Sequence, residues 1–292
     1  MKNKIIAFFF FFAAVIAVAG IVFISREKEQ ENPIYGIFSW NVEAIQQKEQ
    51  ENWSRCIRES STQEIYQEIP MEMLKEKTTE YFIEYMSKEN VKVYALVGQA
   101  SWGRNSEGTE LIKQIKAIAK YNANVGKNAK ICGVMVDVEP YLLEEWDEGE
   151  ESREHLMEQY YSGMRKAYEC SEEYGIQFLA CIPTFYDVTN EDILEKLASK
   201  ACDGLAVMNY NREDEYGQIE AEAELAQKYE KRLICIYELQ EAGKHDLQEI
   251  NTYAGEGLKK LWASADRLKE KINYDGFTFA YHYYEPLKKM LP

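Results

Sequence analysis

From residue 34 onward the chain alternates between short apolar runs, many of them β-branched, and longer stretches whose apolar positions recur at three- and four-residue spacing. The first pattern predicts strands and the second amphipathic helices. Strands are expected at 34–40, 64–67, 91–97, 132–138, 176–182, 204–209, 232–237 and 276–280. Helices are expected at 71–88, 107–121, 151–174, 191–199, 219–229 and 253–272, and residues 41–62 should hold a helix and a loop. The run at 64–67, Glu-Ile-Tyr-Gln, is the shortest and most polar of the strands. Strands that alternate with helices pair in parallel, and near-continuous apolar runs mean that both faces of the sheet are covered. Eight such strands close a barrel, so the expected fold is one (β/α)8 TIM barrel over residues 34–292. An open doubly wound sheet is the competing arrangement. It is disfavoured by the exit of the first strand, where Ser39, Trp40, Asn41 and Val42 offer no glycine for a phosphate loop.

Ahead of the barrel, residues 5–24 carry no charge and are flanked by Lys2 and Lys4 on one side and Arg26 and Lys28 on the other. About twenty apolar residues match the hydrocarbon thickness of a bilayer. Residues 1–25 are therefore expected to be a membrane anchor or signal segment, with 26–33 as a short charged linker. A signal peptide usually has a shorter apolar region, although Ala17, Val18, Ala19 and Gly20 would serve as a cleavage site. Either reading sends the barrel across the membrane, so the expected location is extracytoplasmic, membrane-anchored or, after cleavage, secreted.

Charge narrows the partners. The chain has 34 basic and 50 acidic residues; with Lys2 and Lys4 in the leading segment, 32 basic against 50 acidic side chains leave the remainder at −18. Such a surface repels phosphate backbones, which argues against nucleic acid. Cys132, Cys181 and Cys235 sit inside apolar runs, where a free thiol behaves as a small hydrophobe. Three histidines and no Cys-x-x-Cys spacing leave no basis for a zinc site.

The chemistry concentrates at the end of the fourth predicted strand. In a strand, alternate residues share a face, so Val134, Val136 and Val138 should lie on one side and Gly133, Met135, Asp137 and Glu139 on the other. Two carboxylates at the exit of a core strand are costly unless a site uses them. In a (β/α)8 barrel the active site forms at the C-terminal strand ends. Here those ends carry Trp40 and Asn41, Gln99 and Trp102, Asp137 and Glu139, Thr184 and Tyr186, Asn209 and Tyr210, Glu238 and Gln240, and the run from Tyr281 to Glu285. Aromatic rings stack on sugar faces while amides and acids bind hydroxyls, so the set predicts a carbohydrate cleft. Trp40, Asn41, Gln99, Trp102, Tyr186, Asn209, Tyr281 and His282 are the expected substrate contacts.

The segment Gly133 to Glu139 resembles the fourth-strand signature D-G-x-D-x-D-x-E of chitinase-type, family 18 glycoside hydrolases, matching at Gly133, Asp137 and Glu139. Met208, Asn209 and Tyr210 are similar to that family's sixth-strand M-x-Y element, and residues 93–98 with Trp102 are similar to its third-strand segment. Cys132 and Met135 stand where the family has its first two aspartates, and Asn211 where it usually has another. The resemblance implies a retaining mechanism in which the substrate's own acetamido group attacks the anomeric carbon. Glu139 would protonate the leaving oxygen, Asp137 would orient the acetamido group, and Tyr210 would hydrogen-bond it. It implies an N-acetylglucosamine-containing poly- or oligosaccharide as substrate and neither metal nor organic cofactor.

Two alternatives remain open on sequence alone. Glu238 ends the seventh strand, where it is placed to act as the nucleophile of a two-glutamate retaining glycosidase with Glu139 as acid/base. The other alternative is a barrel that binds carbohydrate without cleaving it.

Overall fold

The computed structural model describes residues 35–292. Residues 1–25 and 26–33, the expected anchor and linker, lie outside the described residues. Among the described residues no helix is long and apolar enough to cross a membrane.

Eight parallel strands close into a barrel in sequence order: β1 (Tyr35–Ser39), β2 (Thr62–Glu68), β3 (Lys92–Val97), β4 (Gly133–Val136), β5 (Gln177–Pro183), β6 (Gly204–Met208), β7 (Arg232–Glu238) and β8 (Phe277–His282). The seam is the pairing of β1 with β8, Tyr35 opposite Phe279 and Ile37 opposite Tyr281. Helices follow the strands on the outside, including Gln50–Ser60, Lys77–Lys88, Thr109–Asn124, Glu150–Tyr174, Glu191–Lys200, Glu220–Lys228, Leu258–Ile272 and Tyr284–Met290.

Period-two alternation divides the barrel into two cores. Outward residues such as Val134, Val136 and Val138 pack against the helices. Inward residues, among them Phe38, Tyr66, Tyr94, Leu96, Met135, Leu179, Ala206, Ile234 and Ala280, fill the interior. Two glycines make room for the inward tyrosines. A Cβ on Gly36 would lie 2.5 Å from the Tyr66 ring, and one on Gly133 would lie 2.8 Å from the Tyr94 ring.

The N-terminal end of the barrel is closed by a polar plug. Glu64 on β2 and Arg232 on β7 form a 2.9 Å ion pair, with side chains only 5% and 23% exposed. The Tyr66 hydroxyl donates to Glu64 at 2.9 Å, and the Tyr94 hydroxyl donates to Gln177 at 2.7 Å. β2 is longer than the four residues expected because its ladder extends at both ends, Thr62 lying opposite Tyr35 of β1 and Glu68 opposite Leu96 of β3. Its inward Glu64 reads as a surface residue in sequence, but its partner comes from a strand nearly 170 positions away. Removing one member of a buried pair strands the other charge at a cost of about 3–5 kcal/mol. Arg232→Met should therefore lower unfolding free energy in urea by about 3 kcal/mol, while Arg232→Met with Glu64→Gln should recover part of the loss; a double-variant loss equal to the sum of the Arg232→Met and Glu64→Gln losses would show that the pair carries no coupling.

Helix boundaries differ from expectation where the backbone breaks. The helix expected from residue 71 starts at Lys77, because Glu76 is extended (φ −92°, ψ 142°) after a short turn at Met73–Lys75. The helix expected from 253 starts at Leu258, preceded by Gly257 at φ +82°. The C-terminal helix Tyr284–Met290 has no distinct periodic signal in the sequence; Tyr284 stacks on Trp53 with ring centroids 3.8 Å apart.

Candidate active site

The ladder of β4 ends at Val136, and the next residue carries the first carboxylate. Asp137 keeps one strand-like bond, its N–H donating to the Val97 carbonyl at 2.8 Å. This close passage depends on Gly98, where a Cβ would sit 1.9 Å from the Asp137 carbonyl oxygen. In the sequence Gly98 stands out only as the last residue of the 93–98 segment; its role comes from its place at the exit of β3, beside β4. Gly98→Ala should displace Asp137 and cut activity at least tenfold, while a Gly98→Ala protein that turns over at the parent rate would show that the β4 exit tolerates the shift.

Asp137 has an uneven environment. The Cys181 thiol of β5 is close enough to lower its carboxyl slightly, and Oδ1 is buried without a hydrogen-bond partner. Burial, with the neighbouring charge of Glu139 adding to it, pushes the carboxyl up to about 6, against smaller lowering effects from Cys181 and His282. The Cys181 thiol is itself driven well up, chiefly by burial, so it stays neutral. Glu139, half-buried at the start of the turn Pro140–Leu142, accepts a hydrogen bond on Oε1 from the Tyr141 hydroxyl. Burial and the charge of Glu139 raise the Tyr141 phenol, so it too remains a donor.

On the far side of the mouth, Tyr210 follows β6 and packs against the barrel interior with Trp40, Met208 and Tyr283. Burial, then the charge of Glu238, hold its phenol far above the ordinary range; Asp137, Cys181 and Tyr141 also raise it. The ring of Tyr210 lies 6.0 Å from that of His282. His282 ends β8, with its Nδ1 2.7 Å from Glu238 Oε2, and the peptide bond joining it to Tyr283 is cis. Asp137, Glu139, Tyr210, Glu238 and His282 thus come from four strand ends and influence one another at one mouth.

Glu238 is the most fully satisfied of these acids. Its Oε1 accepts the N–H groups of Leu239 at 2.8 Å and Gln240 at 2.7 Å, and its Oε2 faces His282 and the Gln240 amide at 3.4 Å. It is 2% exposed. Burial alone would raise it, but the hydrogen bond and charge of His282 and the bonds from Gln240 bring it below the usual range.

Several expected substrate contacts lie elsewhere. Tyr281 points outward by strand alternation, fully buried among the helices, where its hydroxyl accepts from Trp262 at 2.8 Å and donates to the Ser60 carbonyl. Trp102 packs against the helix-side core, because its short turn folds back over β4 and sets Gly103 against Pro140. Tyr186 is fully buried against Trp146 and Tyr160. Asn209 is 2% exposed and its amide donates to the Glu215 carbonyl at 2.7 Å, holding the loop after β6. Asn41 caps the turn at Glu43 and donates to Glu285 at 2.8 Å. Gln99 is exposed at the end of β3, and Trp40 lies half-buried on the interior cluster. Sequence reasoning also missed an aromatic shelf beside Glu139: Phe185, 37% exposed, meets Tyr141 edge-on at 5.2 Å and Trp146 at 5.9 Å. Tyr141, Trp146 and Phe185 give no joint signal in the sequence, since they come from two different loops.

No family model and no curated protein matches the chain. Solved structures do. The barrel is similar to a GH18 chitinase from Pseudoalteromonas aurantia (TM-score 0.53, 12% identity, 87% of this chain and 98% of that one). It is also similar to the C-terminal domain of a putative chitinase from Desulfitobacterium hafniense (TM-score 0.51, 10% identity, 90% and 100%). A putative alpha-L-fucosidase from Bacteroides thetaiotaomicron aligns with a TM-score of 0.57 at 9% identity over 87% and 86%. At these identities the likeness to these three establishes the fold alone.

Proposed function

We propose that the protein is a retaining glycoside hydrolase that cleaves an N-acetylglucosamine-containing glycan with the help of the substrate's acetamido group. One observation carries the reading: Asp137 presents a buried oxygen without a protein partner, next to Glu139, at the mouth of a barrel of this fold. An unpaired buried acceptor costs about 1–3 kcal/mol, and the N–H of an acetamido group is a donor suited to relieve it.

In this reading Glu139 delivers a proton to the glycosidic oxygen as the bond to the leaving sugar breaks. The acetamido carbonyl oxygen attacks the anomeric carbon, and Asp137 accepts the N–H hydrogen bond and balances the positive charge of the cyclic intermediate. Tyr210 donates to the same group. Water then opens the ring with Glu139 taking its proton, and the configuration is retained by two inversions. The Tyr141 hydroxyl holds the Glu139 carboxyl in place.

The two-glutamate alternative asks Glu238 to attack carbon. All four of its near donors are already engaged and it is 2% exposed, so it has no free lone pair turned to the mouth. A carbohydrate-binding barrel remains the alternative if turnover is absent. With residues 1–25 as an anchor or signal, we place the action outside the cytoplasm. A panel of chitin oligomers, peptidoglycan and N-glycans, with product anomers read by NMR, tests the proposal: the expected result is a retained anomer from N-acetylated substrates, and binding without any product would favour the non-catalytic barrel.

A further inference from the structure

Exposed apolar side chains gather beside the acid. Of the five large hydrophobic side chains exposed among the described residues, three stand on two turns at the mouth: Leu142 (63%) after β4, and Phe185 (37%) and Val188 (84%) after β5. Single exposed apolar residues are ordinary, but a contiguous group marks a contact surface. Aromatic rings join these three. Phe185 meets Tyr141 at 5.2 Å, Trp146 at 5.9 Å and the buried Tyr186 at 5.6 Å, each edge-on. Val188 lies three residues on in the same helical turn, with its N–H donating to the Phe185 carbonyl at 3.3 Å, so the two side chains share a face. Leu142 directly follows Tyr141. The Arg153 guanidinium sits over Trp146, 5.2 Å from the ring centroid, and fixes the indole.

This shelf touches the reacting centre directly, since the Tyr141 hydroxyl donates to Glu139 Oε1. Glu139 protonates the leaving oxygen, so whatever that oxygen carries departs past Glu139, over Tyr141 and Phe185. A further sugar would need hydrogen-bonding groups here, and those of the two turns are engaged elsewhere. Glu145 is paired with Arg104 at 2.7 Å, Thr189 Oγ1 donates to the Phe185 carbonyl at 2.8 Å, and Asp187 Oδ1 is buried. Glu144, Asp147 and Glu148 follow Leu142, so the rim also repels an anionic group such as phosphate. Leu142 and Val188 offer no ring face to a sugar, only aliphatic surface.

We infer that the shelf of Leu142, Phe185 and Val188 is the leaving-group subsite, and that it takes an uncharged apolar aglycone, an alkyl or aryl group, in preference to another sugar. The inference rests on the acetamido-assisted reading and deepens it: the reducing end of the glycan is bonded to an apolar alcohol. In the reaction the bond between the anomeric carbon and the leaving oxygen breaks, with its electron pair going to that oxygen. The oxygen takes the Glu139 proton and the group departs as a neutral alcohol. Water then supplies the anomeric oxygen of the sugar product and returns a proton to Glu139. Removing the alkyl or aryl part from water is what holds the substrate on the shelf.

The test uses the full chain and the methyl, butyl and hexyl β-glycosides of an N-acetylglucosamine disaccharide, below their micelle-forming concentrations. Complete burial of a methylene strengthens binding about fourfold, so partial burial should raise kcat/KM about two- to fourfold per methylene, chiefly through KM. Leu142→Ser with Val188→Ser changes two exposed side chains that the fold tolerates. The double variant should cut the hexyl-to-methyl ratio of kcat/KM at least about fivefold, and so should Phe185→Ala. Binding is also read without turnover in Glu139→Gln protein, from the fluorescence signal that Trp146→Phe removes, and it should rise with chain length in the same way. A hexyl-to-methyl ratio near one, or a high ratio that the double variant leaves in place, would overturn the inference. Tighter binding of a chitin tetramer than of the hexyl glycoside, lost in Phe185→Ala, would replace it with a sugar platform. Dimerisation of the wild type that the double variant abolishes, without any chain-length effect, would replace it with a contact between copies. Wild-type protein that turns over none of the series would count against the hydrolase reading alone, and the binding series would still decide the shelf.

Discussion

Glu139→Gln should cost two to four orders of magnitude in kcat with little change in substrate affinity. General acid catalysis contributes about 10²–10⁴-fold, and glutamine keeps the shape of the side chain while removing the proton that the leaving oxygen needs. The Tyr141 hydroxyl can still donate to the amide oxygen, so the local hydrogen bond survives the change. The loss should be smaller on substrates with good leaving groups, which need less protonation. A uniform loss across leaving groups would instead mean that Glu139 holds the loop and leaves proton transfer to another group.

Asp137→Asn should do two opposite things. It should lower turnover of N-acetylated substrates by two orders of magnitude or more, because a neutral amide cannot balance the charge of the cyclic intermediate. It should also make the fold more stable at neutral pH. The sign follows from linkage: a carboxyl raised to about 6 in the folded state, against about 3.9 when unfolded, binds more protons folded than unfolded between those values. Wild-type stability from this group is therefore full below about pH 4 and is lost as pH rises through 6. At about 1.36 kcal/mol per unit, and allowing for partial exposure, the loss is about 2 kcal/mol. Urea unfolding of wild type and Asp137→Asn at about pH 4 and pH 7.5 should show a gap that opens by that amount in favour of the variant. A gap of constant size would mean that the folded structure does not perturb this carboxyl. Stability forgone at a strained acid is the usual cost of a working site.

The barrel was legible in the sequence because a parallel sheet buried on both faces leaves β-branched runs that surface chemistry cannot imitate. All eight strands are present within a few residues of the expected positions. Boundaries shifted where single residues decide the backbone, as at Glu76 and Gly257. The spacing of Asp137 and Glu139 placed both at one strand exit for the same reason, since alternation is local. What the sequence could not disclose were relations across strands. The Glu64–Arg232 plug, the passage of Gly98 beneath Asp137 and the Glu238–His282 pair each join residues tens to hundreds of positions apart. Tyr281 shows the reverse error, for its place near the mouth in sequence is undone by the alternation that sends its neighbour His282 inward. The six cysteines, ambiguous in count, are all free, and five are buried.

The central claim is that the substrate supplies its own nucleophile, and the most direct measurement compares two substrates that differ only in the acetamido group. A β-linked aryl glycoside of an N-acetylglucosamine oligomer and its 2-deoxy or 2-hydroxy counterpart should be assayed with the same wild-type protein, under conditions where both bind. Substrate assistance predicts turnover of the N-acetyl compound and a loss of at least a hundredfold for the other, with no trapped sugar on Glu238. Equal cleavage of the two, or a sugar covalently attached to Glu238, would contradict it.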